Sequence, residues 1–447
     1  MLIKVHVKSR SHHINALFNL AGGASAGLMV LVLPFLLNRM LSQSDYAAWV
    51  LGFQAALYVP MFGLGVHQLL NSAIAQHLAR AEYDHLERHL ASGLVIVAIL
   101  AAIALFFVLV GSFFVMDLAK TSTNQDLSIV QVWLVVGSAA SLGLFSLFFF
   151  GCFGGQQRYE WENLYRAIIS IGFITLILLS LGLGYSIHPI ILSQLYFAAI
   201  CTGLLFLLWR FARQPHLPIP KPKNWHFPTV KSYVRGMYGL SIWQVGMLMV
   251  SGFDVWIVAK VDFGAVPGYS IALSFLVFLS GSIAAIAGPC LPRFSAELSL
   301  VNHGQFRAIF LSYQGKLIIL IGALCVGLLI LPQSIWFFLL KDSALTFNAV
   351  FPILLLATCL RLVTILYALS VVAANIQHRI ILSPLLEGVI NLFTSIVLAY
   401  WLGPIGVAIG TLIGSVACLA FHALYNIPRT LDSIPLTPLA LICPWKI

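Results

Sequence analysis

The sequence predicts an all-α polytopic membrane protein of twelve transmembrane helices, arranged as two parallel six-helix bundles facing a central cavity. Three observations carry that expectation. Apolar residues fill 60% of the 447 positions and charged residues 9%, where a soluble domain carries roughly 25% charged residues. The apolar runs are continuous and of spanning length, whereas a transmembrane barrel shows alternating segments of about 10 residues. The chain also repeats itself weakly, at an offset of about 220 residues, on either side of a basic centre.

That centre is the stretch least like the rest. Pro215, Pro218, Pro220, Pro222 and Pro228 forbid a continuous helix. Arg210, Arg213, Lys221, Lys223, Lys231 and Arg235 forbid burial in lipid. We therefore expect an N-terminal bundle over 1–210, a cytoplasmic basic Pro-rich linker over 211–233, and a C-terminal bundle over 234–447. Across the linker, Ala75 to Leu78 sits opposite Ser295 to Leu298, Cys152 to Gln157 opposite Val372 to Gln377, and Gly182 has a counterpart in Gly403.

The spans are expected at about 14–37, 46–70, 91–116, 130–153, 167–187, 189–209, 234–258, 267–291, 316–340, 350–374, 382–402 and 404–425. The N-terminus superficially resembles a signal peptide, but its apolar run continues for about 24 residues without a convincing cleavage site and reads as the first span. With the N-terminus inside, all of the 24 Lys and Arg except Arg39, Lys120, Lys260, Lys341 and Arg361 fall on the cytoplasmic side. This is the positive-inside pattern of a protein with both termini in the cytoplasm. The net charge of +10 then belongs to membrane topology and calls for no nucleic acid. Six spans per half give both halves the same orientation.

Seven cysteines follow no metal-ligand spacing, so neither a metal site nor a disulfide is expected. A Gly-rich phosphate loop, a nucleophile elbow and a His/Cys cluster are all missing from the sequence, which argues against an enzyme and for no cofactor.

Polar residues within spans are costly in lipid, so each marks contact with protein or water. Span 2 places Gln54, Tyr58, Gln68 and Ser72 on one helical face, with His67 and Asn71 as an adjacent pair. That face either glues helices together or lines a cavity. The mixed-charge segment from Ala75 to His89 reads as a solvated cytoplasmic helix. In span 7, Asp254 is the carboxylate that lies clearly within a span, as a proton carrier or the partner of a cation; Lys260 follows at the outer mouth. Arg361 lies roughly 17 Å from the outer end of span 10 by helical rise, near the midplane. Insertion at that depth costs about 2.5–3.5 kcal/mol, so something compensates it. It is either paired with Asp254 or is a cationic post in a water-filled cavity. Glu387, early in span 11, is a gate or an ordinary interfacial residue.

The run from Leu33 to Trp49, followed by Phe62-Gly-Leu-Gly65 and the polar exit from Asn71 to Gln76, resembles the start of the polysaccharide transporter family, which includes the Wzx-type O-antigen flippases of the multidrug, oligosaccharidyl-lipid and polysaccharide exporter superfamily. The likeness extends through the loop from Asp262 to Tyr269, although Ala47 stands where that family often carries glycine. The charged loop after span 2, from His77 to Arg88, lacks the residue order usual in major facilitator proteins. The resemblance implies a flippase that moves undecaprenyl-diphosphate-linked oligosaccharide from the cytoplasmic to the periplasmic leaflet of a bacterial inner membrane, with a polysaccharide polymerase and the bilayer as partners and the chain acting as a monomer. It further implies that Arg361, Arg39 and Lys260 meet the diphosphate, that Gln54, His67, Asn71 and Gln244 contact sugar, and that Asp254 and Glu387 couple transport to an ion gradient. The alternatives are a cation-coupled drug exporter of the same superfamily and a non-transporting protein of polysaccharide assembly.

Overall fold

A computed structural model describes residue 27 and residues 29–447, apart from positions 64, 81, 119–122, 157, 215–216, 301–302, 332, 375, 443 and 447. The chain is an all-helical, multi-pass membrane protein. Among the described residues, eleven helical stretches are long and apolar enough to cross a membrane, and a shorter apolar helix, α1, covers Met29–Met40. The part of the expected first span before residue 27 lies outside the described residues.

The chain divides into two compact units. Of the described residues, the first takes in those up to 33, 40–117 and 123–241; the second takes in those within 34–39, 118 and 242–447. The first unit contains α2 (Gln43–Tyr58), α3 (Val66–Arg80), α4 (Tyr83–Leu118), α5 (Thr123–Gly143), α6 (Phe145–Gly155), α7 (Glu160–Gly182) and α8 (Pro189–Ala212). Helix α9 (Phe227–Ser251) runs from one unit into the other. The second contains α10 (Asp254–Val261), α11 (Val266–Ala287), α12 (Cys290–Ser299), α13 (His303–Ile330), α14 (Gln333–Leu340), α15 (Ala344–Val363), α16 (Ile365–Ala373), α17 (Leu382–Leu402) and α18 (Pro404–Phe421), with short helices α19 (Ile427–Thr430) and α20 (Leu439–Ile442) behind them.

Local sequence explains where these helices start and break. Ser42 caps α2: its Oγ accepts from the Asp45 amide at 3.1 Å and donates to the Asp45 carboxylate at 2.7 Å, so a free amide of the first turn is satisfied. Pro60 interrupts the same membrane-spanning stretch with a 3-10 turn, Val59–Gly63, and Gly65 follows at φ +74°, a conformation that other residues reach only with strain. The kink splits the polar face expected on span 2. Gln54 and Tyr58 are buried before it, while Gln68 and Ser72 are exposed after it.

The repeat legible in the sequence reappears as packing. In the first unit α2 packs on α5, α3 on α6, α5 on α8 and α7 on α8; in the second α11 packs on α15, α12 on α16, α15 on α18 and α17 on α18. Each unit also breaks one span in the middle, between α5 and α6 at Leu144 and between α15 and α16 at Thr364, about 220 residues apart. In the second unit Gly246 and Gly388 bring α9 against α17. A Cβ on Gly246 would lie 2.7 Å from the Leu385 amide nitrogen, and one on Gly388 2.7 Å from the Gly246 carbonyl. Small residues permit this approach, as at many helix crossings in membranes.

Proline does keep the stretch 211–233 from forming a continuous helix, yet the stretch is packed into the first unit. Leu217, Tyr233 and Met237 join a buried cluster with Leu70, Leu90, Phe148 and Phe211. The Asn224 amide donates to Glu87 at 2.9 Å, and the His226 backbone N–H donates to Ser92 Oγ at 3.0 Å. Helix α4 begins eight residues before the expected third span, so the charged segment from Ala75 to His89 is shared between the end of α3 and the start of α4 instead of forming one solvated helix. There His77 stacks near His85 and His89, with ring centroids 5.7 and 4.6 Å away, and its hydrogen bond to Glu82 holds that carboxyl below its ordinary range.

Because the crossing of α9 and α17 leaves no space for a side chain, Gly388→Leu should cost about 1–3 kcal/mol through overpacking. Gly322→Leu, at a glycine with open space around it, should leave the thermal midpoint in detergent nearly unchanged, and the comparison of the two midpoints checks this.

Candidate functional site

The polar groups of the second unit gather where its helices break. Thr364 ends α15, its hydroxyl and its amide both turned to the Arg361 carbonyl at 2.8 and 3.1 Å. The break frees the Val363 carbonyl, which accepts from the Gln314 side-chain amide at 2.9 Å; that amide also donates to the Leu441 carbonyl at 2.8 Å. Gln314 is fully buried and serves to satisfy backbone that would otherwise be stranded. The break between α9 and α10 is managed in the same way: the Asn391 amide donates to the Val250 carbonyl, and Ser395 Oγ donates to Asn391 Oδ1 at 2.8 Å.

Arg361, one turn before the first of these breaks, reaches Glu387 on α17. Its Nε lies 2.9 Å and a terminal nitrogen 2.8 Å from Glu387 Oε1, and the Ser415 hydroxyl on α18 stands 3.5 Å away. The Glu387 side chain is 4% exposed and that of Arg361 32%, so the carboxylate is buried and the guanidinium retains an open side. Asp254 is the first residue of α10 and is 1% exposed. It accepts hydrogen bonds from Thr411 at 3.1 Å and Tyr269 at 3.4 Å, and Arg361 also acts on it electrostatically. The start of α10 adds the favourable end of a helix dipole.

Asp254, Arg361, Glu387 and Thr411 line one cavity of about 420 Å³, which also takes in His422, Cys418 and Thr358 and is mostly walled by apolar side chains such as Leu276 and Leu354. Its titratable inventory is two carboxylates, one guanidinium, the Cys418 thiol and one imidazole, the last held by Asn426 at 2.9 Å. The pair here is therefore Arg361 with Glu387, and Asp254 is held by hydroxyls. A buried carboxylate beside a guanidinium with an open side is an arrangement in which a proton or small cation can compete for the carboxylates and a passing anion for the arginine. Among the described residues no group of three or more His, Cys, Asp or Glu is placed to hold a metal ion.

The other residues singled out by the sequence lie elsewhere. Arg39 belongs to the second unit but outside this cavity, donating to the Phe338 carbonyl at 3.3 Å and lying over the Phe338 ring. Lys260 is exposed in the last turn of α10 and does not line the cavity. In the first unit Gln54 is buried within α2, His67 is half-buried, and Asn71 is half-buried over Gly154, where a Cβ would meet its amide at 2.5 Å. Gln244 is exposed on α9. Gln68 and Ser72, read in the sequence as part of the polar face of span 2, form with Gln76 a stripe exposed at four-residue spacing on α3, with Gln76 donating to Ser72 at 3.2 Å. The spacing was present in the sequence; the face on which it would open depended on the kink before α3.

If the charge pair is a unit, Glu387→Ala and Arg361→Ala should each destabilise by roughly 1–3 kcal/mol, less than the 3–5 of a fully buried pair because the guanidinium is a third exposed. The double variant should lose less than the sum of the two, which a double-mutant cycle on thermal midpoints measures.

No protein-family model matches the chain, and no curated protein does. Among solved structures the chain is similar to an inward-facing multidrug resistance MATE family transporter of the MOP superfamily, with TM-score 0.74 and 15% identity over 93% of this chain and 94% of that one. It is also similar to the lipid II flippase MurJ in an inward closed conformation, with TM-score 0.71 and 16% identity over 95% and 89%. A third is a MOP superfamily transporter from Pyrococcus furiosus described by the reverse polarity of its binding pocket, with TM-score 0.61 and 14% identity over 94% and 93%.

Proposed function

The chain has the two-lobed helical fold of MOP superfamily transporters, whose solved representatives here are transporters and a flippase rather than enzymes, and we propose that it is an ion-coupled flippase. Its substrate in this reading is an undecaprenyl-diphosphate-linked oligosaccharide, carried from the cytoplasmic to the periplasmic leaflet of a bacterial inner membrane by alternating access. Both termini would be cytoplasmic and the chain would act as a monomer, in company with a polysaccharide polymerase. The observation that carries the reading is the half-open Arg361–Glu387 pair with Asp254 in the same cavity. The polysaccharide-transporter resemblance of residues 33–49 and the lipid II flippase among the structural neighbours support it.

In this scheme a proton or cation arriving at Asp254 or Glu387 weakens the hold on Arg361, and the freed guanidinium meets a diphosphate oxygen. Each site then responds to occupation of the other, as coupling requires. Arg39 and Lys260 are assigned to the diphosphate nearer the exit. For the sugar head we keep Gln244 and His67, add the exposed Gln68, Ser72 and Gln76, and give Gln54 and Asn71 the task of holding the helices that carry them.

A cation-coupled drug exporter is the second reading, and one observation favours it: the cavity holds two carboxylates against one arginine within apolar walls, which also suits a lipophilic cation. Vesicles containing the purified chain separate the two. With an imposed proton or sodium gradient, the flippase reading expects movement of a fluorescent lipid-linked saccharide to the outer leaflet, lost by at least tenfold in Arg361→Ala and Asp254→Asn. Exchange of a cationic dye without saccharide movement would assign the exporter, and neither activity would leave a non-transporting role in polysaccharide assembly.

A further inference from the structure

Where α7 begins and α8 ends, five side chains of the first unit alternate cation and ring. The Arg158 guanidinium lies 5.2 Å from the Trp161 ring centre, Arg210 lies 3.7 Å from the same ring and 5.3 Å from Trp209, and Arg213 lies 4.2 Å from Trp209. Among the described residues the carboxylate paired with these guanidiniums is Glu160, bonded to Arg158 at 3.1 Å. Arg158 also donates to Gln214 Oε1 at 3.0 Å, while the Gln214 amide donates to the Arg210 carbonyl at 3.3 Å. Arg158 is thus committed, and two positive charges are left over. Arg158 and Arg213 both repel Arg210, and Glu160 attracts it less strongly than either repels it.

Cation–π contact stabilises each guanidinium but neutralises none of them. Among the described residues Arg210 Nε and Trp161 Nε1 are buried donors without an acceptor, and buried donors are ordinarily paired. The outer edge of the ladder is open: Arg213 is exposed and Trp209 is 47% exposed. Below it Leu164, Leu205 and Leu208 present an apolar surface along the same two helices. Surplus guanidiniums at a helix end, tryptophans of the kind that settle at the membrane interface, and an apolar track beneath them fit a molecule with an anionic head and acyl chains.

We propose that Arg210, Arg213, Trp161 and Trp209 form a binding site for the phosphate group of an anionic glycerophospholipid, in the leaflet next to the Pro-rich stretch. The phosphate oxygens accept from Arg210 and Arg213, the glycerol lies against Trp209, and the acyl chains follow the leucines. The site depends on neither the substrate nor the coupling ion of the transport cycle.

Native mass spectrometry of the full chain in detergent, titrated separately with phosphatidylglycerol, phosphatidylcholine and inorganic phosphate, tests it. Phosphatidylglycerol is expected to bind most tightly. Arg210→Gln with Arg213→Gln should weaken the first bound lipid about tenfold, equivalent to roughly 1.4 kcal/mol. Arg213→Gln alone, at an exposed position, should give part of that loss in a protein that remains monodisperse. Lys221→Gln with Lys223→Gln removes the same charge from exposed positions nearby and should change the affinity less than twofold. An unchanged affinity in the arginine variants, or an equal loss in the lysine variant, overturns the proposal. Inorganic phosphate binding as tightly as the lipid would assign the site to a free anion and overturn the lipid assignment.

Discussion

Hydrocarbon offers no hydrogen bonds, and that one constraint organises the second unit. Wherever a span is broken, the freed backbone groups and any charge nearby must find partners inside the protein. The break after Val363 is answered by Gln314, which also holds the Leu441 carbonyl and so ties the segment following α19 into the unit. The break after Ser251 is answered by Asn391. With the backbone settled by these two amides, Arg361 and Asp254 are left for other work at the same breaks: one pairs with Glu387, the other is cradled by Thr411 and Tyr269. The cavity is thus a product of interrupted helices more than of any single residue.

Among the described residues this charged cavity belongs to one half of a duplicated scaffold. The two units use corresponding helices in corresponding pairs and break a span at corresponding places, Leu144 and Thr364. At the first break the buried neighbours carry no charge, Ala140, Leu144 and Phe148 lying with the hydroxyls of Ser141 and Ser146; at the second they are Arg361, Glu387 and Asp254. A shared scaffold with different side chains at its weak point lets one unit keep a packed interior while the other holds exchangeable charge. The glycines at 246 and 388 serve the charged half by letting α17, and Glu387 with it, come close to α9.

Much of the candidate site could be read from composition and position. Arg361 and Asp254 stand out because charge within a span is costly, and Glu387 because it lies near one end of such a span. Their pairing could not be read, since the depth arithmetic that puts Arg361 near the midplane says nothing about which helix faces it. The polar face of span 2 failed for a related reason. A straight helix puts Gln54 with Gln68, but the turn at Pro60 and the left-handed Gly65 rotate the second segment and leave Gln54 inside and Gln68 outside.

By itself the sequence determined that the chain is helical and crosses the membrane many times, that it is duplicated, and which few charged residues had to be accounted for. Those properties follow from local quantities: hydropathy, length and spacing. Only the tertiary structure decided that Glu387 and not Asp254 holds Arg361, that residues 211–233 pack against the first unit, and that α3 turns Gln68, Ser72 and Gln76 outward. Each of these depends on the rotation of one helix about its axis relative to another, and that rotation is set by breaks and close contacts between segments far apart in the chain.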